Sequence, residues 1–398
     1  MIKLPSQTSP ADLELILEEV RQSIDQSIQL PVQVRLGGAF GFSSVATQVL
    51  CTWARLHTGI KQLHLGPAYA TDLATRERLA STIHGMAALY LADQVLSGTT
   101  TTPRSKALQS IIPHVEAMQR LDFRSTVRGP GAFLCCFERA SPDAEFLTGL
   151  YAEKRRGTTA HPTVRTNADF ANLLTRIFRS SFAGLATRMT EGQIGVLGQL
   201  VHQLFKNADV HTVRDVAGID YRFGLRGISV RPVSIRKPSD VDDYVAGDVS
   251  LASYILKRSV VNATTKPKAP SALAETFIEL SVFDTGPGLA LRWLSKTAGA
   301  KSYADFSITQ ERDAVQECFA LHSTTDPTGL VGDGLPLALR ALTQLKAFMV
   351  LRTGRLALVQ DFSSGQHADF APKHRFGRKR TLREISGASY TICFPVPR

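Results

Sequence analysis

Cysteine is scarce: five in 398 residues, an odd number, with Cys135 and Cys136 adjacent and no Cys-x-x-Cys spacing. Such a set neither frames a disulfide scaffold nor supplies a thiolate zinc site. It fits a reducing compartment, so a cytoplasmic location is expected. Long apolar runs are missing too. No stretch approaches the roughly 18 uninterrupted apolar residues of a membrane span, so no membrane association is expected. Met1 to Pro10 lacks the apolar segment of a secretory signal. There is no Gly-x-x-x-x-Gly-Lys-Ser/Thr, no His-Glu-x-x-His and no Gly-x-Ser-x-Gly. These absences exclude a Walker-type phosphate loop, a helical zinc protease and a nucleophile-elbow hydrolase.

What remains is an ordinary globular composition, 43% hydrophobic and 20% charged, with a net charge of +11. The length favours two domains. We divide the chain into an N-terminal α/β domain (1–153), a linker (154–168) and a C-terminal domain (169–398). The positive surplus is mostly dispersed. The exception is a cluster including Lys373, Arg375, Arg378, Lys379 and Arg380, which reads either as a solvated loop or as a contact for nucleic acid or an acidic protein surface.

Ser9-Pro10 opens a helix, with a capping hydroxyl, proline at the first position and Asp12 and Glu14 in the first turn. Val32 to Leu36 alternates like a strand and runs into the glycine-rich Gly37 to Gly41, and a helix follows from about Ser43 to Leu56. This strand–loop–helix is either a crossover with a serine cap or a loose resemblance to STAS regulatory domains. Gln62 to Leu65 reads as a strand, Ala87 to Leu96 as a buried helix and Phe133 to Phe137 as a buried strand of the N-terminal layer. Beyond the linker, Phe170, Leu173, Leu174, Ile177 and Phe178 form a helical stripe. Thr190 and Gln193 make a capping box for the next helix.

Three segments carry the chemistry. On the helix after Thr190, Gln199, Gln203, Asn207 and His211 recur every four residues, a polar ribbon beside the apolar face that drifts about 40° per step. Asn207 offers a neutral oxygen suited to Mg²⁺. Phe277 to Phe283 reads as a strand ending in Asp284-Thr285-Gly286-Pro287-Gly288. An aspartate there can accept a hydrogen bond from an exocyclic amine, and Gly286 and Gly288 let the backbone approach a flat ring. Gly332-Asp333-Gly334-Leu335-Pro336-Leu337 then opens another helix, whose free N–H groups suit phosphate.

In this order the segments resemble the GHKL superfamily of gyrase, the 90-kDa heat-shock chaperone, histidine kinases and mismatch-repair ATPases. The likeness covers roughly residues 169 to 398. Leu204 to Thr212 is similar to the family's N box, and the two glycine segments to its glycine boxes. Gly387 to Pro395 is similar to its closing strand. The resemblance implies a Bergerat-type α/β sandwich, a mixed sheet with helices on one face. It implies ATP and Mg²⁺ as cofactors, with Asn207 on Mg²⁺, Asp284 on the adenine amine, Gly286 and Gly288 shaping the base pocket, and Gly332, Gly334 and Leu335 at the phosphates. His211 falls at the end of the N box. The segment from about Leu291 to Val331 would be a lid.

The pattern also departs from the family. Where its ATPases carry a glutamate four residues before the asparagine, this chain has Gln203, and an amide is no general base near neutral pH. Glu191 and Glu279 are alternative bases that no spacing favours. Ala388 replaces the usual threonine of the closing strand, with Ser389 beside it. No His-Glu phosphoacceptor motif occurs, and residues 213–275 read as an insertion. The expectation is an ATP-binding regulator whose lid closure controls a protein partner or self-association, with slow or no hydrolysis. An active ATPase or protein kinase and a nucleic-acid-associated ATPase of the same superfamily are the alternatives.

Overall fold

The structure, a computed structural model, describes residues 1–5, 8–23, 27–31, 39–65, 73–123, 131–139, 149–152, 163–212, 214–263, 275–320, 334–364, 369–377 and 380–397. The chain is α/β, as expected, and builds two sheets. The first joins β1 (Ile2–Lys3), β2 (Ile28–Leu30), β3 (Gln62–Leu65), β4 (Gln94–Ser97) and β5 (Thr100–Pro103) in that order. Its first three pairings are parallel and the last antiparallel. Parallel neighbours need crossovers. These are supplied by α1 (Pro10–Gln22), α2 (Phe42–Leu56) and the pair α3 (Leu73–Ala80) and α4 (Ile83–Leu91), before α5 (Arg104–Gln109) and α6 (Ile112–Gln119).

The second sheet runs β11-β10-β9-β12-β8-β7-β6. Its strands are β6 (Ala132–Arg139), β7 (Phe223–Ile235), β8 (Glu275–Asp284), β9 (Phe348–Gly354), β10 (Leu356–Asp361), β11 (Lys373–His374) and β12 (Ile385–Pro395). The helices of this half are α7 (Asn167–Ser181), α8 (Ala183–Ala186), α9 (Glu191–His211), α10 (Pro238–Val245), α11 (Val249–Ala263), α12 (Leu289–Thr297), α13 (Ile308–Cys318) and α14 (Gly334–Gln344).

Several expectations need correcting. The C-terminal sheet is not mixed: all its pairings are antiparallel, and the mixed sheet is the N-terminal one. The Phe133–Phe137 strand belongs to the larger sheet, paired with β7, rather than to the N-terminal layer. Residues 213–275 are no appendage, because β7 fills the place between β6 and β8. The helix expected over Ala87 to Leu96 is α4, ending at Leu91. The Asp93 carboxylate accepts from the Lys61 backbone amide, and Gln94 onward pairs with β3 instead. The α2 cap is Gly41, with no side-chain bond, while the Ser44 hydroxyl donates to the Gly41 carbonyl and is buried. The Val32–Leu36 strand and most of the linker lie outside the described residues, although Thr166 caps α7 with a full capping box.

Helices cover both faces of the large sheet, not one, because the side-chain alternation of its strands serves two cores. Ile278, Leu280, Val282 and Asp284 of β8 share a face with Tyr390 and Ile392 of β12. This face meets α9, where Asn207 reaches Tyr390. The opposite face presents Glu279 and Ser281, with Thr391 and Cys393. There Thr391 lies within 3.3 Å of Ser44 on α2, and Cys393 joins Phe40, Tyr244 and Tyr254 in a separate cluster.

The N-terminal half is held to this second face by a buried ion pair. Arg352 of β9 donates from Nε to Glu14 Oε1 at 2.7 Å and from Nη2 to Glu14 Oε2 at 2.9 Å. The side chains are only 2% and 4% exposed. Gln48 adds a bond from α2 to the Ser386 carbonyl at 3.0 Å. Removing one member of such a pair strands a charge without solvent. Glu14→Ala is therefore expected to cost ~3–5 kcal/mol in urea unfolding, and Glu14→Ala combined with Arg352→Met much less. A single-variant loss below ~1 kcal/mol, the value of an exposed pair, contradicts this role.

Candidate nucleotide site

The end of β8 is fixed by its backbone. Asp284 is 3% exposed, and its Oδ1 accepts from the Gly286 amide at 2.7 Å. The Ala388 amide also donates to this carboxyl. Ala388, found where the family has threonine, therefore still contacts the site through its main chain. Ser389 does not take over, since it points to the other face and its Oγ has no partner among the described residues. Burial raises the Asp284 pKa from 3.8 to about 7, against the pull of the two amides, Arg55 and Arg226.

Two glycines are needed here for close approach. Gly387, at φ 76°, lies so near β8 that an added Cβ would stand 2.0 Å from the Asp284 carbonyl oxygen. Gly288, at φ 89°, would bring a Cβ within 2.5 Å of the Tyr303 hydroxyl, which donates to the Pro287 carbonyl at 2.8 Å. Both are left-handed positions, where any side chain is strained.

Two of the three sequence segments meet around Tyr390, which is fully buried. The Asn207 Nδ2 donates to its hydroxyl at 3.3 Å. Burial and the nearby Asp284 charge hold the phenol well above its ordinary pKa, and Arg292 of α12 acts on it in the opposite sense. The second glycine segment closes the set: a Cβ at Gly334 would stand 3.3 Å from Gln203 Oε1. Gln203 on α9 thus lies against the start of α14, and Asn207 against Tyr390 of β12. Leu335 is buried in the core beneath α14. Gly332 and the His211 side chain lie outside the described residues, as does the lid beyond Ala320.

A feature that sequence reading missed sits beside Asp284. Arg226, its register partner on β7, is 3% exposed and contacts Asp209 of α9 at 2.9 Å. Tyr151 donates to the same carboxylate and accepts from Arg226 Nε. Asp209 falls two residues after Asn207 in the sequence, so this stretch of α9 supplies both the Asn207 contact to Tyr390 and the counter-ion for this cation.

Neither alternative base is placed for work near Gly334. Glu279 lies on the opposite face, bonded to Arg231 at 2.7 Å. Glu191 opens α9, 12 residues before Gln203, about 18 Å along the helix axis. No group of three or more His, Cys, Asp or Glu among the described residues could hold a metal. Asn207 is suited to contribute one oxygen to a cation that keeps its waters and phosphate ligands, because its Nδ2 is already used. The basic cluster is only partly a free surface: Arg375 is 4% exposed and paired with Asp248 at 2.7 Å. Arg378 and Lys379 lie outside the described residues. No helix among the described residues is long and apolar enough to cross a membrane, and all five cysteines are free.

The raised Asp284 pKa has a definite sign. Between 3.8 and about 7 the folded chain holds a proton that the unfolded chain releases, so this group's contribution to stability falls as pH rises through that window. Relative to wild type, Asp284→Asn is expected to gain ~2–4 kcal/mol of stability between about pH 4 and about pH 8. In carboxyl-resolved NMR, one aspartate resonance titrating near 7, absent from the variant, is expected. An ordinary titration near 3.8 contradicts the buried placement. Compared with family models, curated proteins and solved structures, the chain matches none of them, so the site is read from its own residues.

Proposed function

We propose that residues 169–398 bind Mg·ATP in the manner of the GHKL superfamily, on a sheet that departs from the Bergerat pattern in being antiparallel and covered on both faces, and that the protein is a regulator rather than a rapid ATPase. The observation that carries this reading is the convergence of three distant segments. Asp284 and Asn207 lie about Tyr390, while Gly334 lies against Gln203. Asp284 would accept the adenine amine, Gly286 and Gly288 would flank the ring, and the amides opening α14 would take the phosphates. Asn207 would hold the magnesium, which neutralises phosphate charge when bound. Closure of the lid, which includes α12 and α13, would change how the protein meets a protein partner or a second copy of itself.

Among the described residues no unengaged carboxylate is placed beside Gly334, and this supports binding without turnover. Gln203 is an amide, Asp209 is tied to Arg226, and Glu279 faces away. Calorimetric titration with ATP and Mg²⁺ tests the binding claim: wild type binds ATP in preference to GTP, and Asp284→Asn and Asn207→Ala each weaken it roughly tenfold or more. No wild-type binding, or binding indifferent to Asp284→Asn, overturns it. A second measurement tests the missing base. Gln203→Glu restores a carboxylate beside Gly334 and is expected to raise phosphate release roughly 10²-fold. Wild-type turnover equal to that of the variant counts against the assignment.

A further inference from the structure

A separate concavity of 260 Å³ lies between the first half of α13, the β9–β10 turn and the segment after β11. None of the nucleotide-site residues lines it. Its walls carry three guanidinium groups, Arg312, Arg355 and Arg380, and one carboxylate, Asp313. Arg355 is held in place: its Nε donates to the fully buried Glu311 at 2.6 Å and its Nη2 to the Phe306 carbonyl at 2.9 Å. Arg312 reaches the Pro372 carbonyl with Nη2 at 3.4 Å. Its Nε is buried without a hydrogen-bond partner among the described residues. Arg380 stands 5.2 Å over the Phe376 ring and is otherwise exposed.

We propose that this concavity is a binding site for the phosphate or diphosphate group of a small molecule. Glu311 pairs with Arg355 and Asp313 stands in the wall, so three guanidinium groups and two carboxylates leave the hollow a net positive balance, which a multivalent anion would offset while supplying acceptors for the guanidinium N–H groups. The planar fork of arginine suits phosphate oxygens. The size limits the ligand, because 260 Å³ is below the roughly 300–1,000 Å³ of pockets for drug-sized ligands. A phosphorylated small molecule therefore fits better than a whole nucleotide. A nucleic-acid strand fits less well, since Arg375, which a backbone-tracking surface would need in the open, is buried on Asp248.

The probe is inorganic pyrophosphate, titrated calorimetrically in EDTA so that a magnesium-dependent phosphate site is silent. Wild type is expected to bind it, and Arg312→Gln and Arg380→Gln each to weaken binding roughly tenfold, the loss of one charge-assisted contact. Asn207→Ala is expected to bind it as wild type does. Because Arg380 is exposed, Arg380→Gln decides the matter alone should thermal melting show that Arg312→Gln does not fold. The proposal is overturned by no wild-type binding or by undiminished binding in Arg380→Gln. It is equally overturned by a matching loss in Asn207→Ala, which would put pyrophosphate in the nucleotide site. A single-stranded oligonucleotide that binds more tightly than pyrophosphate and is lost in Arg380→Gln would replace it with a nucleic-acid contact. The outcome is independent of ATP binding, so the two readings fail separately.

Discussion

A sheet covered on both faces leaves no water to satisfy the polar side chains in its middle, and this constraint governs the large sheet. Each polar residue there must find a partner on the side to which its strand register turns it. On β8 the alternation separates two carboxylates with opposite fates. Glu279 meets Arg231 on the face shared with α2 and α10. Asp284 meets backbone amides on the face shared with α9 and, at a distance, Arg226 of β7 and Arg55 of α2. Glu279 is thus a structural anion, whereas Asp284 retains acceptor capacity. A register slip of one residue would exchange these environments.

The same constraint explains the N-terminal half. Arg352 faces α1 from β9 and is matched by Glu14, while Thr391 meets both Ser44 and Ser281. Gln48 of α2 adds its bond to the Ser386 carbonyl near the start of β12. The N-terminal elements therefore cover the sheet's second face as well as their own.

Much of this was legible in local sequence. The capping hydroxyl at Ser9, the capping box at Thr190, the apolar stripe from Phe170 to Phe178 and the strand ending at Asp284 appear where the residues place them, because caps and periodicity are local properties. What was not legible is pairing. The Phe133–Phe137 strand is apolar on both sides, and nothing within it says that β7, some 90 residues later, is its neighbour. The second layer of helices was hidden for the same reason, since a strand buried on two faces loses the polar alternation that reveals a solvated side. Within the site, Asp284 and Asn207 could be named from motif order. Arg226 could not: its role depends on standing opposite Asp284 in the register and near Asp209 across the sheet–helix interface. An arginine set between Leu225 and Gly227 in an otherwise apolar strand-like stretch was the available signal.

The account stands on a single proposed arrangement, a purine at Asp284 and a phosphate tail at the start of α14. A crystal structure with Mg²⁺ and a non-hydrolysable ATP analogue tests it most directly. The account predicts the adenine amine within hydrogen-bonding distance of the Asp284 carboxylate and phosphate oxygens on the Gly334 amide, with Asn207 on the metal. An analogue bound elsewhere, with Arg226 still paired to Asp209 and Asp284 touching only backbone amides, would contradict it.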